Sequence, residues 1–202
     1  ELAERNLNSG QTGLWAFEIG KVYMLEEKNK KEIDKLTGLL AANRSIDLWV
    51  NSGKVKELTY FEARGKLTML FMGLKLEIKD RPLNEHHLLH PGRASKLILE
   101  GKEIGFFGQV HPRFTEENNL PPDTYCFELD LKPIINAATR RNRWITTYKA
   151  YNVFPSIERD IALLVRKEAI SATLIDLIKK SGKPLLKSVE LIDVYEGDKV
   201  GD

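Results

Sequence analysis

Two apolar runs, Lys96–Glu100 and Ile104–Val110, are joined by Gly101-Lys102-Glu103 alone. A link this short closes a hairpin of antiparallel strands, because a parallel return needs a crossover of about a dozen residues or more. The flanks are loop-like: His90-Pro91-Gly92-Arg93 leads in and His111-Pro112 leads out. Gly105 and Gly108 fall inside the second run, with Phe106 and Phe107 between them. No helix start follows directly, so these glycines read as places of close packing rather than as a phosphate loop.

Other segments extend the pattern. Leu14–Leu25 carries Trp15, Phe17, Ile19, Val22 and Tyr23 and predicts a strand. A charged turn over Glu26–Glu32 leads to a second strand, Ile33–Asn43, in which Gly38 leaves room for something bulky to cross closely. The period then changes: Tyr60, Ala63, Leu67, Leu70 and Phe71 predict a helix ended by Gly73. Leu74, Leu76 and Ile78 predict a strand, Pro112 a short helix, Thr124–Leu131 a strand and Lys132–Thr139 a helix. Arg140–Lys149, with Arg140, Arg141, Arg143 and Lys149 around Trp144, reads as a solvated basic connector. Beyond Pro155 come a strand over Ile157–Val165, interrupted by Arg159-Asp160, and a helix capped by Ser171 and stopped at Ser181–Pro184. A last strand spans Val189–Tyr195.

Composition narrows the function classes. With 202 residues there is room for one large domain or two small ones, and 42% apolar with 30% charged residues is ordinary for a globular protein. A net charge of +2 gives no global basic field, so any RNA contact must come from a local patch. The single cysteine, Cys126, sits in the alternation Tyr125-Cys126-Phe127 and reads as a buried inert thiol of a reducing compartment. No apolar run reaches the roughly 18 residues of a membrane span. Glu1-Leu2-Ala3-Glu4-Arg5 is no basic-then-apolar leader, so secretion is not expected.

One pattern hints at metal chemistry. His86 and His90 are four apart in Glu85-His86-His87-Leu88-Leu89-His90, the spacing of paired ligands on a helix. The glutamate precedes the first histidine, Pro91-Gly92 breaks a helix at once, and His111 would have to come from another loop. The expectation is therefore no metal, and a polar loop in which His90 and Arg93 brace strand ends.

Three motifs in order carry a resemblance: His90-Pro91-Gly92-Arg93, Ile104–Pro112 of the form IGxxGxxHP, and Glu158-Arg159-Asp160. With Phe17-Glu18-Ile19-Gly20, they make the chain resemble the beta subunit of bacterial-type phenylalanyl-tRNA synthetase along almost its whole length. The resemblance implies an α+β fold in two parts. Residues 1–145 would be a catalytic-like module with the antiparallel sheet of class II aminoacyl-tRNA synthetases. Residues 146–202 would be the first half of a ferredoxin-like anticodon-binding domain, a partial β-α-β unit. His90, Pro91, Gly92, Arg93, His111, Arg159 and Asp160 would belong to the fixed frame.

No catalytic residue is expected in this piece. Class II activation uses an arginine on a strand pair to bind the α-phosphate of ATP, with Mg2+ supporting the transferring charge. The turn Glu26–Glu32 has no arginine, and no Gly-x-Gly-x-x-Arg strand follows. The resemblance implies ATP and Mg2+ for the whole enzyme, none for this fragment. Its partners would be the alpha subunit, in a two-alpha two-beta assembly, and tRNA(Phe), in the cytoplasm. Removal of misacylated products is not assigned here, because the modules for it are absent. By resemblance, Tyr195 would stack on the first anticodon base, Asp193 would hydrogen-bond to it and the backbone of Ala162 would line the same spot. Asp193 and Tyr195, two apart, would share a strand face. Two other readings are a free-standing RNA-binding or interaction module, and a hydrolase using His86, His90 and His111. The first predicts an open reading frame ending near Asp202; the resemblance predicts one that continues on both sides.

Overall fold

All strands among the described residues pair antiparallel. The computed structural model describes residues 2–11, 13–26, 29–42, 57–148, 150–151 and 153–195. After a short helix α1 (Leu2–Asn8) come strands β1 (Leu14–Glu26) and β2 (Asn29–Ala41), helix α2 (Tyr60–Gly73), and strands β3 (Ile78–Pro82), β4 (Leu89–Leu99) and β5 (Lys102–Val110). Helix α3 (Pro112–Glu117), strand β6 (Thr124–Asp130) and helices α4 (Leu131–Ala138), α5 (Arg141–Trp144) and α6 (Ser171–Ser181) follow. The six strands form one sheet in the order β1-β2-β6-β5-β4-β3. The chain divides into two units, 1–147 and 148–202.

Strand β6 is the seam of the sheet. It arrives last, yet lies between the hairpin β1–β2 and the hairpin β4–β5. Tyr125, Phe127 and Leu129 project to one face, level with Leu40, Gly38 and Leu36 of β2. Phe127 lies directly opposite Gly38, and a Cβ placed on Gly38 would stand 2.3 Å from its ring. The bulky neighbour expected over Gly38 is therefore Phe127. On the other side of β6, Gly105 pairs with Leu129 at φ +142°, and a Cβ there would lie 1.9 Å from the Glu128 carbonyl oxygen. At Gly108 an added Cβ would meet Ala94 and Leu89 at 2.9 and 3.0 Å. Both glycines of the apolar run thus serve close packing.

Helix α2 covers this face. Thr59 and Glu62 close a capping box at its start, and Ala63, Leu67 and Phe71, four apart, press on the sheet. Tyr60 contacts the rings of Phe107 and Tyr125 at 5.3 and 6.3 Å, and those two rings stack at 6.0 Å. Helix α4 adds Ile134, Ala137 and Ala138 to the same core. Polar bonds fix the edge: Arg64 of α2 holds Asp80 of β3 through two N–H groups at 3.0 and 2.9 Å, and Ser95 of β4 donates to Asp80 at 2.8 Å.

Several local expectations are corrected. Gly73 lies inside α2, and the left-handed residue ending it is Lys75, φ +55°. The Leu76 N–H donates to the Phe71 carbonyl and the Lys75 N–H to that of Met72, a Schellman turn, so Leu74 and Leu76 close the helix and only Ile78 begins the strand. The hairpin turn is Glu100-Gly101, with φ +51° and +83°, the two positive angles a tight right-twisted connection requires; Lys102 and Glu103 already pair. Asn29–Glu32, expected in a turn, extend β2, where the charged side chains of Lys30, Lys31 and Glu32 stand in water. Ser171 is the first helical residue of α6, and Ile170, which has no side-chain cap bond, is the cap. Finally, 157–165 and 189–195 carry no strand among the described residues. Alternation supplies the two faces of a strand, but only a ladder partner satisfies its backbone groups.

Two outcomes follow from the seam. Gly38→Ala is expected to cost about 1–3 kcal/mol in urea unfolding, the usual cost of overpacking, and Phe127→Leu in the same chain should recover part of it. An unaltered midpoint for Gly38→Ala would contradict the packing. Burial pushes the Cys126 thiol up to about 12 from 9.0. At pH 8 only roughly one thiol in ten thousand is then ionised, so a disulfide reagent should label the half-buried thiol far more slowly in the native chain than in urea. Because the folded value is raised, this group's contribution is constant below pH 9.0 and lost as pH climbs towards about 12. Prompt labelling of the native chain would refute this.

Candidate functional site

The motif His90-Pro91-Gly92-Arg93 is not a loop before the hairpin but a bulge within β4. Leu89 pairs with Val110 and the next pair is Ala94 with Gly108, so residues 90–93 together face Gln109 alone. Proline, with no N–H, fits such a break in the ladder. Arg93 donates to the Gln109 side-chain oxygen at 2.8 Å, and the Gln109 amide donates to the Pro122 carbonyl at 2.7 Å. The motif is thereby tied through β5 to the turn preceding β6. Gln109 was not among the expected residues, although a polar side chain in an otherwise apolar run must find partners when buried.

The histidines are engaged with nearby backbone. Nδ1 of His86 accepts from the Leu88 N–H at 3.3 Å, Nδ1 of His90 from the Gly92 N–H at 3.1 Å, and Nδ1 of His111 from the Arg113 N–H at 3.3 Å. A neutral imidazole accepting on Nδ1 carries its proton on Nε2, which leaves no lone pair for a metal. Among the described residues no three His, Cys, Asp or Glu side chains are grouped to hold an ion. His111 caps α3, and its own N–H donates to the Leu88 carbonyl at 2.8 Å.

On the sheet face away from α2, Lys35 lies 3.1 Å from Glu128 and 2.7 Å from Asp130. Burial works against its charge, but the bonds to Asp130 and Glu128 outweigh it and raise the Lys35 pKa. His86 packs on Phe106 at 4.4 Å and on His87 at 4.8 Å, and burial, then His87, lowers its pKa. A cation neutralised by two carboxylates and a histidine biased towards neutrality offer little positive field to a phosphate.

In the second unit, Ala162, Asp193 and Tyr195 are exposed, Tyr195 by 68%. Asp193 accepts from the Val194 N–H at 2.8 Å. No hydrogen bond brings the three together, and Arg159 and Asp160 lie exposed outside any strand. Arg140 and Arg143, expected in solvent, are instead bonded to Glu100, while Lys149 lies outside the described residues. No helix among the described residues is long and apolar enough to cross a membrane.

Comparison with known proteins matches both parts. Residues 1–131 fit the family model of the phenylalanyl tRNA synthetase beta chain CLM domain, and residues 152–202 that of the ferredoxin-fold anticodon binding domain. Of the second segment, α6 is the regular element among the described residues. The phenylalanine–tRNA ligase beta subunit of Prochlorococcus marinus (strain MIT 9313) is 49% identical over 196 residues, covering 97% of this chain and 24% of the relative. That of Parasynechococcus marenigrum (strain WH8102) is 43% identical over 198 residues, 98% of this chain and 24% of the relative. In Synechococcus sp. (strain CC9605) the identity is 44% over 202 residues, 100% of this chain and 25% of the relative. The chain spans about a quarter of the length of the curated relatives it matches. An antiparallel sheet seamed by β6, the bulged His90–Arg93 motif and both family matches lead to one conclusion: this chain belongs to the phenylalanyl-tRNA synthetase beta-chain family.

Proposed function

We propose that this chain serves as a non-catalytic section of a phenylalanine–tRNA ligase, the enzyme that attaches phenylalanine to tRNA(Phe) at the expense of ATP. The observation that carries the reading is the presence, in one chain and in this order, of the beta-chain match over 1–131 and the anticodon-binding match over 152–202. The first domain, residues 1–145, acts as a scaffold that packs against the alpha subunit of a two-alpha two-beta assembly in the cytoplasm. The second, residues 146–202, supplies part of the surface that reads the anticodon. A free-standing RNA-binding module of the same fold is the alternative; relatives of which this chain spans only about a quarter favour the subunit section.

ATP and Mg2+ supply the activating chemistry in the whole enzyme, and the residues here do not fit them. Lys35 is neutralised by Glu128 and Asp130, and the imidazoles of His86, His90 and His111 each accept from a backbone N–H. What this chain does is positional. Its sheet fixes a surface for a partner, and its second domain presents aromatic and carboxylate groups to unpaired bases. Tyr195 offers a ring face for stacking and Asp193 an acceptor for a base N–H.

Tyr195→Ala and Asp193→Ala, each in the whole ligase, are expected to raise the KM for tRNA(Phe) by about 5- to 100-fold, the effect of a lost base stack. ATP–pyrophosphate exchange without tRNA should be unaltered. An unchanged KM in both variants would overturn the assignment of these residues. The 202-residue chain alone should give no phenylalanine-dependent exchange, and any turnover would refute the scaffold role.

A further inference from the structure

Two arginines meet on one carboxylate at the end of the sheet, and one of them ties it to the ends of α4 and α2. Glu100 stands in the β4–β5 turn at φ +51°. Arg140 grips it with two N–H groups at 2.8 and 2.7 Å, and Arg143 adds a third bond at 3.2 Å. Arg143 also donates at 2.9 Å to the carbonyl of Ala137, near the end of α4, and to the carbonyl of Lys75 in the turn that closes α2. The Trp144 indole N–H donates to the Ala138 carbonyl, and the Lys75 ammonium lies over the indole ring, 4.8 Å from its centre. Helix α5 has only four residues and cannot hold its shape alone. These contacts with α2, α4 and the hairpin turn are what hold it.

We infer that residues 140–147 form a releasable strap, latched on Glu100, that sets how much free chain precedes the second unit. Closed, the strap keeps the chain on the first unit up to the boundary at 147. Released, it adds eight residues to the tether, roughly 26–29 Å of extended reach. The latch is built to open: Arg140 and Glu100 are half exposed, with side-chain accessibilities of 51% and 40%, so water and salt compete for the pair. Arg143, at 23%, is the inner and more protected half, bonded also to the backbone carbonyls of Ala137 and Lys75. The inference concerns only the first unit and stands whether or not the second binds RNA.

Hydrogen exchange in the 202-residue chain, read by NMR, tests it. The Trp144 indole N–H reports the strap; the Trp15 indole N–H, bonded to the Ala42 carbonyl at 2.8 Å, reports the sheet. Glu100→Ala is expected to speed exchange at the Trp144 indole and at the amides of 143–145 by about three- to tenfold, with Trp15 unaltered. Arg140→Ala, which leaves Arg143 on Glu100, should speed exchange at the same positions by less than Glu100→Ala does. No change at Trp144, an equal change at Trp15, or an Arg140→Ala effect larger than that of Glu100→Ala would each overturn the latch.

Discussion

The structure depends on the ring of Phe127 lying across Gly38. Because β6 is the last described strand to join the sheet and lies between its two halves, the hydrogen-bond ladders of the two halves are joined through it. A side chain at position 38 would push β6 off β2, and one at Gly105 would push β5 off β6. Removing two side chains lets three strands approach at full ladder contact while Phe127, Phe107 and Tyr125 form a continuous floor for α2. Backbone space is exchanged for aromatic burial, a favourable trade where rings cover large areas. The bulged motif hangs from strands that this interlock aligns.

Much of that was legible in the sequence. The hairpin over 96–110, the helix over 60–72 and the crossing at Gly38 could be read because each rests on local pattern or on the absence of a side chain. Other features could not, and for identifiable reasons. The helix-closing role of Leu74–Leu76 looks like strand alternation, since a Schellman turn also buries every second residue. Arg140 and Arg143 resemble a solvated basic run because their partner, Glu100, is about forty residues away in sequence. The bulge at 90–93 depends on register, which no single strand reveals. In 157–165 and 189–195 the alternating pattern is present while the ladder is not.

The candidate site illustrates the same separation of pattern from use. His86 and His90 have the spacing of paired ligands, with His111 a candidate from another loop, yet each of the three rings turns its acceptor nitrogen to an N–H two residues on. Such bonds stabilise tight turns at strand ends and leave the sheet rigid but chemically quiet. Such a sheet suits the scaffold role proposed for this chain.

The most direct test of the central claim is photo-crosslinking of tRNA(Phe), labelled in its anticodon loop, to the whole ligase, followed by mapping of the attached peptides. Cross-links are expected within 148–195, at or near 161–165 and 191–195, with the sheet of 1–147 unmarked. Anticodon cross-links concentrated on β1–β6, or lying wholly outside the segment of this chain, would contradict the division into a scaffold and an anticodon-reading unit.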